Sequence, residues 1–160
     1  MKHFFQLFII TVAVSAEVTA QTPAATIPDF TFFKFNKTAF TNKDLAAGKK
    51  IFFVFFDTEC DHCQHGIEYL NRHQKELDKV AVYLLTLDNP EKAGAFLSKY
   101  GNNLNAKKNI TLLQDVKNEF IRKFGPKKYP SLFLYSPQKK LILYDDNEKN
   151  LYKFLEQIKS

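Results

Sequence analysis

The sequence predicts an α/β fold in which a mixed β-sheet lies between helices. Two strongly apolar runs, residues 51–56 and 80–87, have the length and composition of strands that are buried on both faces. The segment that joins them has helical spacing, so the three elements form a βαβ unit whose strands run parallel with a right-handed crossover. Residues 131–135 and 141–144 indicate a late hairpin, which adds antiparallel strands.

The first twenty residues indicate an export signal. Lys2 is followed by an apolar stretch over residues 4–14, and small residues come next. We expect a signal peptide of residues 1–20 with cleavage after Ala20, or alternatively after Ala16. The apolar stretch is shorter than the roughly 20 residues of a membrane span. The mature protein is therefore expected to be periplasmic or otherwise exported, soluble, and without stable insertion in a membrane.

The mature chain is expected to contain a spacer at residues 21–28 and a single domain at residues 29–160. A domain of this length buries a core without disulfide staples. The formal net charge is +6 at pH 7, but the lysines stand in scattered doublets, a pattern typical of a solvated surface. A nucleic-acid partner would require a contiguous basic stripe, so none is expected.

The domain is predicted to begin with an additional β-hairpin. Residues 30–35 alternate as a strand, and Ala39 with Phe40 is expected to return as its partner. Thr41 and Asp44 then resemble a helix start. Thr41 would supply the capping oxygen, and Asp44 would lie near the positive end of the helix dipole.

Helices are predicted after each of the two buried strands. The first extends over residues 60–79, where apolar residues recur at helical spacing. Pro90 stands where proline is tolerated at the start of a second helix, residues 91–100, and Gly101 is placed to end it. The polar residues 102–109 are expected to be a loop.

The last third of the chain is predicted to hold a strand, two helices and the late hairpin. The strand is at residues 111–113 and the final helix is at residues 148–158. The other helix is expected over residues 116–124, because three apolar residues recur there at four-residue spacing: Val116, Phe120 and Phe124.

Cys60 and Cys63 are the only cysteines of the chain, and they stand where the first buried strand gives way to a helix. A cysteine pair in an exported protein rests as a disulfide unless something reduces it, so this CxxC pair indicates electron exchange. The unpaired N–H groups and the dipole at a helix N-terminus favour the reactive thiolate on Cys60. We predict that Cys60 reacts first and that Cys63, one helical turn further, resolves the mixed disulfide.

Four charged residues near the cysteines are candidates for redox tuning or proton transfer. His62 can add a positive charge or a donor to the thiolate, whereas Asp61 opposes the thiolate or is simply a favourable first-turn residue. Asp57 and Glu59 flank the cysteines and could take or relay a proton. Carboxylates at strand ends are more often ordinary surface groups, and that interpretation stays open for both.

Two other classes of function are compatible with the residues. Cys60, Cys63 and His65 offer ligands for Cu(I) or zinc, which would suit a protein that binds or delivers metal. A structural zinc site normally has four protein ligands and only three cluster here, so no metal site is predicted. The disulfide could also be inert in a binding module. No cofactor is expected for the redox reaction itself.

The order of elements, with the CxxC pair after the first buried strand and Tyr129-Pro130 at the start of a late strand, resembles the thioredoxin-like superfamily. Residues 27–30 (Ile-Pro-Asp-Phe) and 112–115 (Leu-Leu-Gln-Asp) resemble exported TlpA-type, redoxin-like thiol-disulfide oxidoreductases. The resemblance implies a thioredoxin-like fold, a central mixed β-sheet flanked by helices with an extra N-terminal β-hairpin. It also implies a cis bond before Pro130 and a substrate strand that pairs with the Tyr129 backbone.

Five positions depart from related patterns. Thioredoxins commonly carry a buried acid, a tryptophan and a proline where this chain has Val54, Glu59 and Glu68. Thioredoxin-like peroxidases place a proline and a threonine ahead of the reactive cysteine, where this chain has Phe53 and Asp57. The group that handles the proton is therefore expected to differ from the buried acid of thioredoxins, and the peroxidase pattern is absent.

The resemblance implies an enzyme that exchanges electrons with protein disulfides through the Cys60/Cys63 dithiol, and we favour a reductase. A reductase in an oxidising compartment needs an electron donor. A membrane thiol reductant is therefore implied as a partner, beside the protein disulfide or dithiol substrates. An oxidase or an isomerase would use the same residues, because thiol-disulfide exchange runs in both directions.

Overall fold

The computed structural model of the protein describes residues 22–160. The predicted signal peptide, residues 1–20, lies outside this range. The strands of the described chain are β1 (Thr31–Lys34), β2 (Ala39–Thr41), β3 (Lys50–Phe55), β4 (Val80–Thr86), β5 (Ile110–Gln114), β6 (Ser131–Tyr135) and β7 (Leu141–Asp145). Its helices are α1 (Asp61–Arg72), α2 (Pro90–Tyr100), α3 (Asn102–Asn105), α4 (Glu119–Phe124) and α5 (Leu151–Lys159).

The strands form one sheet in the order β2-β1-β5-β4-β3-β6-β7. β3 and β4 run parallel, as do β4 and β5, whereas β1 and β6 pair with their neighbours in antiparallel fashion. The predicted βαβ unit, late hairpin and N-terminal hairpin are therefore all present. The C-terminal ends of β3, β4 and β5 meet at one edge of the sheet, and this edge carries the cysteines.

Two apolar cores cover the two faces of the sheet. Successive side chains of a strand point to opposite faces, so Phe52 and Val54 pack in one core while Phe53 and Phe55 pack in the other. The first core contains buried residues of α1, α2, α3 and α5. The second contains β1, β2 and α4. The prediction that β3 is buried on both faces is confirmed.

The helix start predicted at Thr41 is wrong. Thr41 ends β2, and a turn follows it. The carboxylate of Asp44 accepts hydrogen bonds from the backbone N–H of Thr41 at 2.8 Å and from its hydroxyl at 3.0 Å. The two residues that resemble a helix cap close this turn instead.

The helix predicted over residues 116–124 begins only at Glu119. Asn118 has φ 53°, a left-handed conformation that cannot continue a right-handed helix. The buried carboxylate of Asp115 accepts hydrogen bonds from the backbone N–H groups of Lys117 and Phe120, at 3.2 and 2.7 Å. Val116 is consequently exposed rather than part of the core.

Three further boundaries differ from the prediction. α1 ends at Arg72, and a 3₁₀ turn, Gln74–Leu77, buries Leu77 separately. The expected loop after α2 contains the short helix α3, because Leu104 is buried there. The final helix is preceded by a 3₁₀ turn, Glu148–Asn150.

The segment expected as a spacer contacts the domain. The backbone N–H of Ala24 donates to Phe124 O at 2.8 Å, and that of Ile27 donates to Lys139 O at 3.0 Å. The N–H of Leu141 donates back to Ala25 O at 2.8 Å. Across residues 22–160, none of the helices has the length and apolar character needed to cross a membrane.

Candidate active site

Cys60 caps the N-terminus of α1. Its backbone is extended, with φ −93° and ψ 115°, and its Sγ accepts a hydrogen bond from the backbone N–H of Cys63 at 3.3 Å. Its carbonyl accepts bonds from the N–H groups of Cys63 and Gln64, at 3.0 and 3.1 Å. The CxxC spacing thus places the first sulfur against the unpaired N–H groups of the helix, where a negative charge is stabilised.

Cys63 lies in the first turn of α1, and only 1 % of its surface is exposed. Burial raises the pKa of the Cys63 thiol far above its ordinary value, and the neighbouring Cys60 sulfur raises it further. The backbone N–H of Asp57 opposes this shift in part. Cys60, in contrast, is half-buried, and both residues are free thiols. Cys60 is therefore the reachable sulfur and Cys63 the protected one.

Asp88 fixes the loop that leads into Cys60. Its Oδ2 accepts hydrogen bonds from the backbone N–H and the hydroxyl of Thr58, at 3.0 and 2.8 Å. The hydroxyl of Thr86 donates to the same oxygen at 3.3 Å. Since Asp88 follows β4 and Thr58 follows β3, the carboxylate joins the ends of two adjacent parallel strands.

Asp57 and Glu59 lie on the same loop but have different surroundings. The Asp57 carboxylate accepts a hydrogen bond from the backbone N–H of Glu59 at 2.7 Å. The Glu59 carboxylate is largely exposed and pairs with Lys92 of α2 at 2.9 Å, which raises the pKa of Lys92. The negative charge of Asp57 reaches the buried thiol and contributes to the raised pKa of Cys63.

The Tyr129–Pro130 bond is cis, as the resemblance implies, and Pro130 is buried. The ring of Tyr129 lies 4.8 Å from that of Phe55, centroid to centroid, at the end of β3. Burial raises the pKa of Tyr129 to about 12, and the charges of nearby groups, Asp57 first among them, add to the effect. Its phenol is therefore neutral at physiological pH.

His62 is tied to the C-terminal part of the chain. Its Nδ1 lies 3.1 Å from Oε1 of Glu148, while the imidazole remains largely exposed. Burial opposes ionisation of Glu148, but hydrogen bonding to His62 and the charges of His62 and Lys149 lower the pKa of this carboxyl overall. Asp61 is exposed in the first turn of α1.

A cavity of about 210 Å³ lies between His62 and the Pro130 loop. Its lining residues are His62, Lys128, Tyr129, Asp146, Asn147, Glu148 and Lys149. An ion pair at 3.6 Å joins Lys128 and Asp146. The cavity therefore has polar walls and an aromatic side at Tyr129, and its His62 wall belongs to the same helical turn as Cys63.

A comparison with protein-family models matches residues 23–144 to the AhpC/TSA family. The chain belongs to the AhpC/TSA family. This match confirms the redoxin-like identification made from the motifs. Family membership, together with the geometry of Cys60 and Cys63, makes the protein a thioredoxin-like thiol-disulfide oxidoreductase.

Solved structures with similar folds include a thiol-disulfide oxidoreductase from Bacteroides fragilis, with TM-score 0.67 and 17% identity, covering 83% of this chain and 98% of that one. The thioredoxin domain of a thiol-disulfide oxidoreductase from Bacteroides vulgatus has TM-score 0.65 and 19% identity, covering 85% and 96%. A thioredoxin-like protein from Aeropyrum pernix has TM-score 0.66 and 12% identity, covering 81% and 89%. The predicted thioredoxin-like fold is thereby confirmed. No match was found among curated proteins.

This AhpC/TSA-family protein keeps the departures noted in its sequence. Val54 is buried at the position of the thioredoxin acid, so no carboxylate occupies that place under Cys63. Phe53 and Asp57 stand where thioredoxin-like peroxidases have proline and threonine. The site consequently has the dithiol of a thiol-disulfide oxidoreductase without the peroxidase pattern.

The alternative metal site lacks a ligand set. His65 is exposed on α1, while Cys63 is buried beneath its N-terminus. Within residues 22–160, no three cysteine, histidine or carboxylate side chains are grouped so that they could hold a metal ion. Cys60, Cys63 and His65 therefore do not form the site that the metal hypothesis requires.

Three residues of the site, Asp88, Lys92 and Glu148, were not identified from the sequence. Asp88 had a usable signal, since a carboxylate just after a buried parallel strand lies at the edge where the other strands end. Lys92 and Glu148 had no such signal in the sequence. Lys92 reaches the site from a surface helix, and Glu148 reaches it from a turn 86 residues after His62.

Proposed function

We propose that this protein reduces disulfides of exported polypeptides through Cys60 and Cys63. One observation carries the proposal: the sulfur of Cys60 is half-buried at a helix N-terminus and accepts the N–H of Cys63, whose own thiol is buried behind it. An accessible nucleophile with a protected second thiol is the arrangement that two-step disulfide exchange requires.

The first step is attack of the Cys60 thiolate on a substrate disulfide. A bond forms between Cys60 Sγ and one substrate sulfur, the substrate S–S bond breaks, and the other substrate sulfur leaves as a thiolate that takes up a proton. In the second step Cys63 loses its proton and attacks Cys60 Sγ, which releases the second substrate thiol. The protein ends as the Cys60–Cys63 disulfide, and two electrons and two protons have passed to the substrate.

The second step needs a base for the Cys63 proton, since burial keeps this thiol protonated. Asp57 is the better of the two carboxylates proposed from the sequence. Its charge acts on both Cys63 and Tyr129, whereas Glu59 is held by Lys92. Asp57 is therefore proposed to accept the proton that the buried acid of thioredoxins would handle.

The surroundings of His62 favour the reductive direction. A positive charge beside Cys60 would stabilise the reduced form and make the disulfide a stronger oxidant. Here the Glu148 carboxylate lies 3.1 Å from His62 and Asp61 adds a second negative charge, so the positive charge is compensated. An oxidase or an isomerase is the alternative that uses the same dithiol.

The cavity beside Pro130 is proposed to receive the substrate next to its disulfide. An extended polypeptide would pair with the backbone of Tyr129 as an added strand. Export is proposed from the signal-like residues 1–20, and a membrane thiol reductant is proposed as the source of electrons.

Two measurements test this function. The reduced protein should accelerate the reduction of insulin disulfides by dithiothreitol, and Cys60→Ser should abolish the acceleration. Equilibration of Cys60/Cys63 with glutathione should give a potential near that of thioredoxin, about −270 mV. Strong dithiol oxidants have a potential of about −120 mV, and a value in that range would indicate that the protein forms disulfides instead.

A further inference from the structure

A second groove lies on the same sheet edge as the dithiol, and it is apolar. It has a volume of about 340 Å³ and is formed by β1 with its turn, the end of β5 and the start of α2. Its apolar lining residues are Phe33, Phe35, Pro90 and Val116. Since β3, β4 and β5 are parallel, the groove and Cys60 lie at the same edge, with the end of β4 between them.

Val116 is the most exposed large apolar side chain of the described chain, at 54 %. Its backbone is held in place, because the carboxylate of Asp115 accepts the N–H of Lys117 and the N–H of Asp115 donates to Thr86 O at 2.9 Å. A fixed apolar side chain that borders an open groove is typical of an interaction site.

Lysines surround one side of this groove. Lys34 and Lys37 line it, Lys117 follows Val116, and all three are exposed. None of them forms an ion pair within residues 22–160, although the Lys34 ammonium lies 5.8 Å from the Phe40 ring. At longer range, the charge of Lys34 lowers the pKa of Asp44, and that of Lys117 lowers the pKa of Glu119. The side formed by the hairpin and β5 is therefore positively charged and complements a partner that carries carboxylates.

The groove is connected to the loop that holds Cys60 through the start of α2. Pro90 in its wall opens α2, and Lys92 of the same turn pairs with Glu59, the residue before Cys60. Asp88, two residues before Pro90, holds Thr58 of that loop. A polypeptide seated in the groove therefore lies beside the segment that presents the reactive sulfur.

We propose that the groove docks the protein partner whose disulfide meets Cys60, by receiving an apolar side chain flanked by carboxylates on that partner. The proposal rests on the proposed function and adds the chemistry that selects the partner. Docking leaves the exchange steps unchanged. It raises the effective concentration of the partner disulfide near Cys60, as a second binding segment does in any bivalent complex.

The test uses peptides with a cysteine joined to thionitrobenzoate by a disulfide, so that attack by reduced protein releases a coloured thiol. One peptide continues through a flexible Gly-Ser linker of about 15 residues into Glu-Leu-Phe-Glu. Matched peptides replace the glutamates by lysines or Leu-Phe by Ser-Ser. The Glu-Leu-Phe-Glu peptide should react with an about tenfold higher second-order rate constant than either, and added salt should reduce the difference.

Val116→Glu should remove this preference, while Ile142→Glu should retain it. Ile142 is a matched control, since it is also an exposed β-branched residue, at 38 %, but lies on the far edge strand β7. Circular dichroism checks that both variants fold. A thionitrobenzoate peptide without the docking segment should react equally with all three proteins.

Equal rates for all peptides with the unaltered protein would overturn the docking proposal and leave the proposed function intact. Equal loss of the preference in both variants would overturn it as well. A concentration-dependent dimer that Val116→Glu dissociates would assign the groove to a second copy of the chain. Absence of thionitrobenzoate release from every peptide would instead contradict the proposed function.

Discussion

Burial distinguishes the two cysteines. Cys60 and Cys63 share one helical turn, yet the first is half-buried at the N-cap and the second is almost fully enclosed by the core of α1, α2 and α5. Desolvation disfavours the charged form of a thiol, so enclosure keeps Cys63 protonated. The proposed order of the two attacks rests on this difference.

The raised pKa of Cys63 predicts that the reduced protein loses stability in alkali. Above the ordinary pKa of 9.0, unfolded Cys63 has released a proton that the folded protein retains. Cys63 alone should therefore make the free energy of unfolding fall above pH 9 by about 1.4 kcal/mol per pH unit. Urea denaturation at pH 8, 9 and 10 measures this slope.

Cys63→Ala is the control for that slope, since it removes the titrating thiol. The difference in unfolding free energy between the reduced protein and this variant should shrink as the pH rises from 8 to 10. A constant difference would show that the folded state does not hold the Cys63 proton.

Asp57→Asn should slow the resolving step. The variant lacks the proposed acceptor of the Cys63 proton, so release of the second substrate thiol should be slowed by about 100-fold, the lower end of general-base contributions. Attack by Cys60 should not be slowed. Rapid acid quenching and mass spectrometry follow the mixed disulfide, with Glu59→Gln as the matched control. Resolution at an unaltered rate would remove Asp57 from the mechanism.

Local motifs revealed only part of the site. Cys60, Cys63 and Pro130 could be identified because each belongs to a short pattern that stands out in the sequence. Asp88 could have been found from its place just after a buried strand, whereas Glu148 could not, because only the folded chain brings it to His62. Side chains that only the fold brings to the site are thus harder to predict than the cysteine pair itself.

The packing of helices α1 and α2 depends on a single residue at the end of α2. Gly101 was expected to end α2 as a conformational cap, but its φ is −136°, which other residues adopt. Its role is close packing: a Cβ there would lie 2.9 Å from Cγ2 of Ile67 on α1 and 3.2 Å from Cδ2 of Leu97. Glycine lets α1 approach the end of α2.

Gly101→Ala should therefore destabilise the protein by about 1–3 kcal/mol, the usual cost of overpacking. Gly94→Ala on the same helix is the control, since a Cβ there meets nothing within 4 Å, and alanine favours helices by about 1 kcal/mol over glycine. Urea denaturation of both variants gives the comparison. Equal stabilities would contradict the packing role.

Element boundaries were predicted less well than element types. The helix expected from Val116 starts at Glu119, because Asn118 is left-handed and Asp115 binds the N–H of Phe120. The spacing of apolar residues correctly predicts that Phe120 and Phe124 are core residues. It does not show that the Asp115 side chain accepts hydrogen bonds from the backbone N–H groups that follow it. Because the helix was expected to begin at Val116, this residue was placed in the core, whereas it is exposed and borders the apolar groove.

For the whole molecule, apolar runs and their order predicted the mixed sheet correctly. The two faces divide the aromatic residues unequally: Phe53 contacts rings of Phe30, Tyr83, Phe120 and Phe124 on the face away from α1. This aromatic core packs against the end of the sheet that carries the cysteines, because Phe55 and Tyr129 belong to it.

Phe53→Ala should reduce the free energy of unfolding by about 3–5 kcal/mol, the usual cost of removing a buried phenylalanine side chain. Val116→Ala, at an exposed position, should change it by less than about 0.5 kcal/mol. Thermal or urea unfolding provides both values. A small effect at Phe53 would mean that the aromatic core relaxes around the cavity.

Trapping of the mixed disulfide shows directly whether Cys60 attacks and Cys63 resolves. Reduced Cys63→Ser and Cys60→Ser variants are mixed with a peptide disulfide at neutral pH, and adducts are located by mass spectrometry after proteolysis. A stable adduct is expected on Cys60 in the first variant, and little or none in the second. Adducts that form mainly through Cys63 would contradict this order of attack.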